Sequence, residues 1–196
     1  GELPPQETGL TFNSWYGKPH LEMHWWHLVH FALWNRIQVL ETQLNWYLEI
    51  KDKARDIARA QGYAGVRWPK NVDADGNQVP STIAPLLIWQ QPHPIYFAEL
   101  AYRQKPTPET LDRYRELVAD PAAFMADFAH LDPQTGFYEL GPPLIPAQES
   151  YDPKITRNPP FELAYWRCGL ETAQSWRERL GQPRDPNWDD VVSRLA

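Results

Sequence analysis

The carboxylate whose setting best suits proton chemistry is Glu149. It sits in Pro146-Ala147-Gln148-Glu149-Ser150-Tyr151, after a stiff Gly141-Pro142-Pro143 turn. Glycoside cleavage needs a carboxylic acid that protonates the leaving oxygen, and a second carboxylate that activates water or attacks the sugar. The acid must hold its proton near neutral pH, which aromatic surroundings favour by penalising the ionised form. A proline-braced loop glutamate meets that need, although a solvated loop glutamate has the same sequence. Asp152 and Glu162 follow, and proximity alone makes them candidates for the second carboxylate. Tyr151, beside Glu149, can stack on or hydrogen-bond a sugar.

A second constellation is His20-Leu21-Glu22-Met23-His24-Trp25-Trp26-His27. On a helix, His20, His24 and His27 share one face. Three readings stay open: a metal site, hydroxyl contacts to a sugar from His20, Glu22 and His24 with Trp25 stacking beside them, or buried structural histidines. The metal reading lacks the zinc-protease spacing, which puts Glu immediately after the first His, and no cysteine lies near. No metal and no cofactor is expected. The third constellation is Arg67-Trp68-Pro69-Lys70, a Trp between two cations; it suits a sugar platform or a loop anchored by one buried Trp. The fourth is Trp89-Gln90-Gln91-Pro92-His93-Pro94, where Gln90 and Gln91 can bond hydroxyls.

These groups need a scaffold, and the periodicity supplies helices. Helices are expected over 20–34 and 36–60; in the second, Ile37, Leu40, Leu44, Tyr47, Leu48 and Ile57 recur at three- and four-residue spacing. Gly62 should end it. The next helix is expected over 86–102, kinked or split by Pro92 and Pro94. Another follows from Pro108, capped by Thr107, to His130, with a break possible at Asp120-Pro121. The last two are expected over 161–180 and 187–195. No β-pattern stands out. The chain thus reads as three antiparallel hairpins, each preceded by an irregular segment: 11–19, 62–85 and 131–160. In an up-down array those segments share one rim, at the N-termini of the first, third and fifth helices, and long loops on a rigid scaffold are where sites form.

Composition narrows the class. The 196 residues are read as a single module over 1–196, 42% apolar, with a net charge of −6. An acidic chain without a basic run fits neither a nucleic acid nor an anionic membrane surface. No stretch nears the roughly 18 apolar residues of a membrane span, and the N-terminus reads as free of a signal peptide. Ten Trp and nine Tyr fit either sugar stacking or a heavy aromatic core. The one cysteine, Cys168, reads as a small buried hydrophobe.

Three motifs, in this order, resemble the six-hairpin (α/α)6-barrel glycoside hydrolases, especially bacterial proteins similar to glycoside hydrolase families 65 and 95. They are Lys18-Pro19-His20-Leu21-Glu22-Met23-His24-Trp25-Trp26-His27, Gly65-Val66-Arg67-Trp68-Pro69-Lys70, and the run from Gly141-Pro142-Pro143 to Glu149-Ser150-Tyr151. The resemblance implies an all-α fold and cleavage of an α-linked carbohydrate with inversion, by water or phosphate. It implies Glu149 as general acid, a sugar as partner, and a periplasmic or secreted setting. Such a barrel has six hairpins and this sequence shows three, so the chain reads as part of a larger catalytic domain. The remaining part of the barrel, or a second copy of the chain, is the implied protein partner. The base would lie elsewhere. The alternatives are a non-catalytic carbohydrate-binding module, a metal-dependent hydrolase on the histidine-rich helix, and a helical scaffold with an aromatic core.

Overall fold

The computed structural model describes Leu3, Pro4 and residues 18–196. The irregular segment expected over 11–19 therefore lies largely outside the described residues. Six α-helices carry the rest: α1 (His24–Leu33), α2 (Ile37–Ala60), α3 (His93–Gln104), α4 (Pro108–Phe128), α5 (Pro160–Arg179) and α6 (Pro186–Arg194). The fold is all-α and forms three antiparallel hairpins. Each helix packs on its neighbour in sequence. The odd helices α1, α3 and α5 also pack on one another in order, as do the even ones. This gives an inner and an outer layer, the arrangement of a partial toroid.

Local chemistry explains the boundaries. Helix α2 ends as glycine-terminated helices do: Gly62 takes φ 85°, its N–H bonds Arg59 O at 3.0 Å, and Tyr63 N–H bonds Ala58 O at 2.9 Å. Thr107 caps α4 by accepting the Thr110 N–H at 3.3 Å, and Asp185 caps α6. Three expectations are adjusted. The segment over 86–102 is split near its prolines, as expected, but its first part is not α-helix: residues Ala84–Leu86 make a 3-10 turn and α3 begins only at His93, with Pro94 in its first turn, because a proline there gives up no helical hydrogen bond. Helix α4 runs unbroken past Pro121, with Leu117, Val118, Ala122, Phe124 and Met125 all buried around it; packing outweighs one lost bond. A short antiparallel pair, His130–Leu131 with Tyr138–Glu139, also forms, and two-residue strands are too short to leave a periodic signal.

The core is heavily aromatic. Trp68, Trp166, Trp176, Tyr47, Tyr114, Phe97 and Phe124 are the largest fully buried side chains. Two indole N–H groups also stitch helices together: Trp166 to Met125 O at 2.8 Å, and Trp176 to Glu99 at 2.8 Å. Glu99 in turn meets Arg103 at 2.8 Å and Arg179. Cys168 departs from expectation: it is exposed, because its helix face looks away from the outer layer.

Gly65 joins the second loop to α4. It takes φ 69°, and a Cβ there would lie 2.1 Å from Asp120 O and 2.6 Å from Phe124 N. Both obstacles are backbone and cannot swing aside. Gly65→Ala is expected to lower stability by about 2–3 kcal/mol, read as a lower urea midpoint with unchanged slope.

Candidate functional site

The loops before α1, α3 and α5 do meet at one rim, and charged groups from all three are in contact there. The approach to α1 is pinned to the second loop. His20 and Asn71 form a β-bridge, and the N–H groups of Leu21 and Glu22 both bond Lys70 O, at 2.9 and 3.3 Å. The Lys70 ammonium lies 3.0 Å from Glu22 Oε1 and also contacts Glu149 Oε1. The indole N–H of Trp89 reaches Glu22 Oε2 at 3.3 Å. His93, in the first turn of α3, holds the Glu22 carbonyl at 3.0 Å through Nε2. That nitrogen must be the N–H donor, so Nδ1 accepts from the Tyr165 hydroxyl at 2.9 Å.

Electrostatics follow from this packing. Burial raises the Glu22 pKa, and Lys70 offsets only part of the rise. Burial works against the Lys70 charge, but Glu149 and Glu22 outweigh it and its pKa lies above the ordinary value. His20 is lowered, chiefly by burial. His93 is fully enclosed and drops to about 4, so it is a neutral donor at pH 7.

The third loop is placed by two anchors. Ile145 N–H bonds Leu86 O at 2.9 Å. Ala147 N–H bonds the buried carboxyl of Glu162 at 2.6 Å, and burial raises the Glu162 pKa. A turn closes at Glu149, whose N–H bonds Pro146 O at 2.8 Å. Glu149, Tyr151 and Asn158 all have positive φ, at 55°, 76° and 51°. Left-handed backbone on non-glycine residues costs about 1–3 kcal/mol each and concentrates at working sites.

Beside the rim, the inner helices leave an open aromatic groove of about 240 Å³. Trp25 and Trp26 of α1 line it, with Trp89, His93 and Tyr96 around the start of α3 and Phe161, Tyr165 and Cys168 of α5. Trp25 stacks on Tyr96 at 6.1 Å and 15°. Trp89 and His93 connect this groove to Glu22, so apolar ring faces and charged hydrogen-bonding groups adjoin.

The other singled-out residues lie elsewhere. His20 precedes the helix instead of lying on it, so the three histidines do not share a helix face. His24 is a core residue: its ring bonds the Tyr47 hydroxyl at 2.8 Å and Gln43, and burial lowers its pKa to about 3. Among the described residues, no three His, Cys, Asp or Glu side chains are placed to hold a metal ion. Of the two readings of Trp68, a sugar platform or a loop anchored by one buried Trp, its burial fits the second: it is 1% exposed and packs edge-on against Tyr47. Gln90 and Gln91 spend their amides on the Trp68 backbone: Gln91 bonds both its N–H and its C=O, at 2.8 and 2.7 Å, and Gln90 bonds its C=O at 3.0 Å. Arg67 faces a separate small cleft beside Phe128 and Pro142, with its guanidinium on Gln61 and the Pro85 carbonyl. Tyr151 is 77% exposed. Phe161, Tyr165 and Cys168 line the groove without belonging to any of the four constellations. Their i, i+4, i+7 spacing, repeated in Trp89, His93 and Tyr96, is the signal the sequence carries for them.

The sequence matches no family model and no curated protein. Its fold does have a counterpart. A solved structure described as "Putative kojibiose phosphorylase from human microbiome" superposes with a TM-score of 0.78 over 98% of this chain, at 8% identity. The fold is that of part of an (α/α)6 barrel. The chain spans 30% of the length of that solved structure. At this identity the likeness is one of fold, so the chemistry must be argued from the rim itself. No helix among the described residues is long and apolar enough to cross a membrane.

Proposed function

We propose that the chain is a carbohydrate-cleaving module that forms part of a six-hairpin barrel and acts on an α-linked sugar with inversion. Glu149 is the general acid; His20, Glu22 and Lys70 bind sugar hydroxyls; Trp25 and its neighbours stack on ring faces. The observation that carries this reading is the meeting of Glu149, Lys70 and Glu22 from three separate loops, at the edge of an aromatic groove. The attacking group, water or phosphate, comes with a base from the rest of the barrel, and the name of the solved structure makes phosphate the first alternative to test. Titrating α-linked disaccharides while following indole emission tests the binding step. The emission should change saturably for at least one sugar, and Trp25→Ala should weaken the affinity roughly two- to tenfold. No response to any disaccharide would count against the reading.

A second reading, sugar binding without cleavage, draws support from one feature: Lys70 occupies the Glu149 carboxylate. The two readings separate on turnover.

Both edges of the array support further hairpins. On α1 and its C-terminal cap, Trp26, Leu33 and Trp34 are 60%, 68% and 68% exposed, at a spacing that makes one apolar stripe. On α5, Phe161 is 45% exposed and Ala164 and Cys168 are exposed beside it. Exposed apolar groups on both of these helices suit packing against neighbouring helices.

A further inference from the structure

Lys70 is shared. Its ammonium touches two carboxylates from two other loops, Glu22 on the approach to α1 and Glu149 on the approach to α5. The two partners are held differently. Glu22 is 4% exposed and fixed on both sides, through its carboxylate by Trp89 at 3.3 Å and through its carbonyl by His93 at 3.0 Å. The carbonyl of Lys70 is itself bonded by the Leu21 and Glu22 N–H groups, so Glu22 and Lys70 form one rigid unit. Glu149 is the more exposed member: it lies in a left-handed turn, its side chain is 35% exposed, and Lys70 is its side-chain contact to that unit.

We infer that Glu22 is a positioning residue that acts through Lys70, dividing the ammonium between two carboxylates and so setting how readily Glu149 holds a proton. This rests on the reading of Glu149 as general acid. An acid beside a fully committed ammonium would stay ionised and could not donate. Glu22 draws off part of that charge. The other titratable groups that face this cluster are His20 and, beyond it, Lys18 on the same approach, and His93 on α3. Both histidines are pushed toward the neutral form by burial. A merely structural ion pair would lower the rate without moving the pH profile.

The two charges therefore have opposite effects. In Glu22→Gln, Lys70 is left wholly to Glu149, and the alkaline limb of kcat/KM should move down by about one pH unit. In Lys70→Met, Glu149 faces Glu22 without the cation, and the same limb should move up by about as much. The pH profiles are measured on the full-length gene product. Carboxyl carbon NMR of the 196-residue chain labelled at glutamate, with the Glu149 signal assigned through Glu149→Gln, gives the Glu149 titration without any turnover. Shifts of opposite sign in the two variants support the inference. Limbs and titrations that stay put, or move the same way, overturn it. If the wild-type protein cleaves no sugar, the reading of Glu149 as an acid fails, while the NMR titration still decides whether Glu22 governs it through Lys70.

Discussion

If Glu149 is the general acid proposed above, Glu149→Gln in the complete barrel is expected to lower sugar release by about 10²–10⁴-fold, the usual contribution of a positioned general acid. The amide keeps the shape and the turn, which rests on backbone bonds from Glu149 N–H to Pro146 O and from Ala147 N–H to Glu162, but it has no proton to give. The loss should depend on the leaving group. A natural disaccharide leaves as a poor alkoxide and needs the acid fully. An aryl glycoside with a strongly acidic phenol needs little help and should lose far less activity. Steady-state kinetics with the two substrate types distinguish this from misfolding, which would depress both alike. A variant as fast as wild type on the disaccharide removes Glu149 from the chemistry.

Acidification is expected to destabilise the chain through two buried histidines. His24 is enclosed between Tyr47, Gln43 and Phe97, and burial lowers its pKa to about 3. His93 is enclosed between Trp89, Phe97 and Tyr165, and burial lowers its pKa to about 4. In the unfolded chain each titrates near 6.5. The sign follows from which state binds the proton. Well above pH 6.5 both states are neutral at these positions and the groups cost nothing. Below it the unfolded chain takes up protons that the folded chain refuses, and stability falls by about 1.4 kcal/mol per pH unit for each histidine until the folded values are reached. At pH 5 the two together remove about 4 kcal/mol relative to pH 7.5. Urea unfolding across pH 7.5 to 5 measures this, and His24→Gln, which cannot protonate, should flatten the dependence by about half. A stability independent of pH over that window would mean that these rings are not held neutral.

The helical hairpins were legible because amphipathic period and terminal punctuation agree: Gly62 and Thr107 stop and start helices where their chemistry requires. The shared rim followed from the up-down alternation of the helices together with loop length. What escaped was tertiary. Nothing local distinguishes Trp68, which is swallowed by the core, from Trp25, which lines the groove; only the packing of Tyr47 against one and Tyr96 against the other decides. Gln90 and Gln91 carry amides suited to sugars, yet the backbone of Trp68 lies closer and takes them. Cys168 sits in a helical pattern that reads as core, and it is exposed because the inner face of the array is open. The meeting of Lys70 with Glu22 and Glu149 spans 79 residues of sequence between Lys70 and Glu149, a juxtaposition that no local pattern encodes.

The most direct test of the central claim is sugar release by the full-length gene product from a panel of α- and β-linked aryl and natural glycosides, with and without phosphate, followed by proton NMR. The account predicts release from at least one α-linked sugar, with the β-anomer, or the β-phosphate, appearing first. Release from none of them, or the α-anomer appearing first, would contradict it.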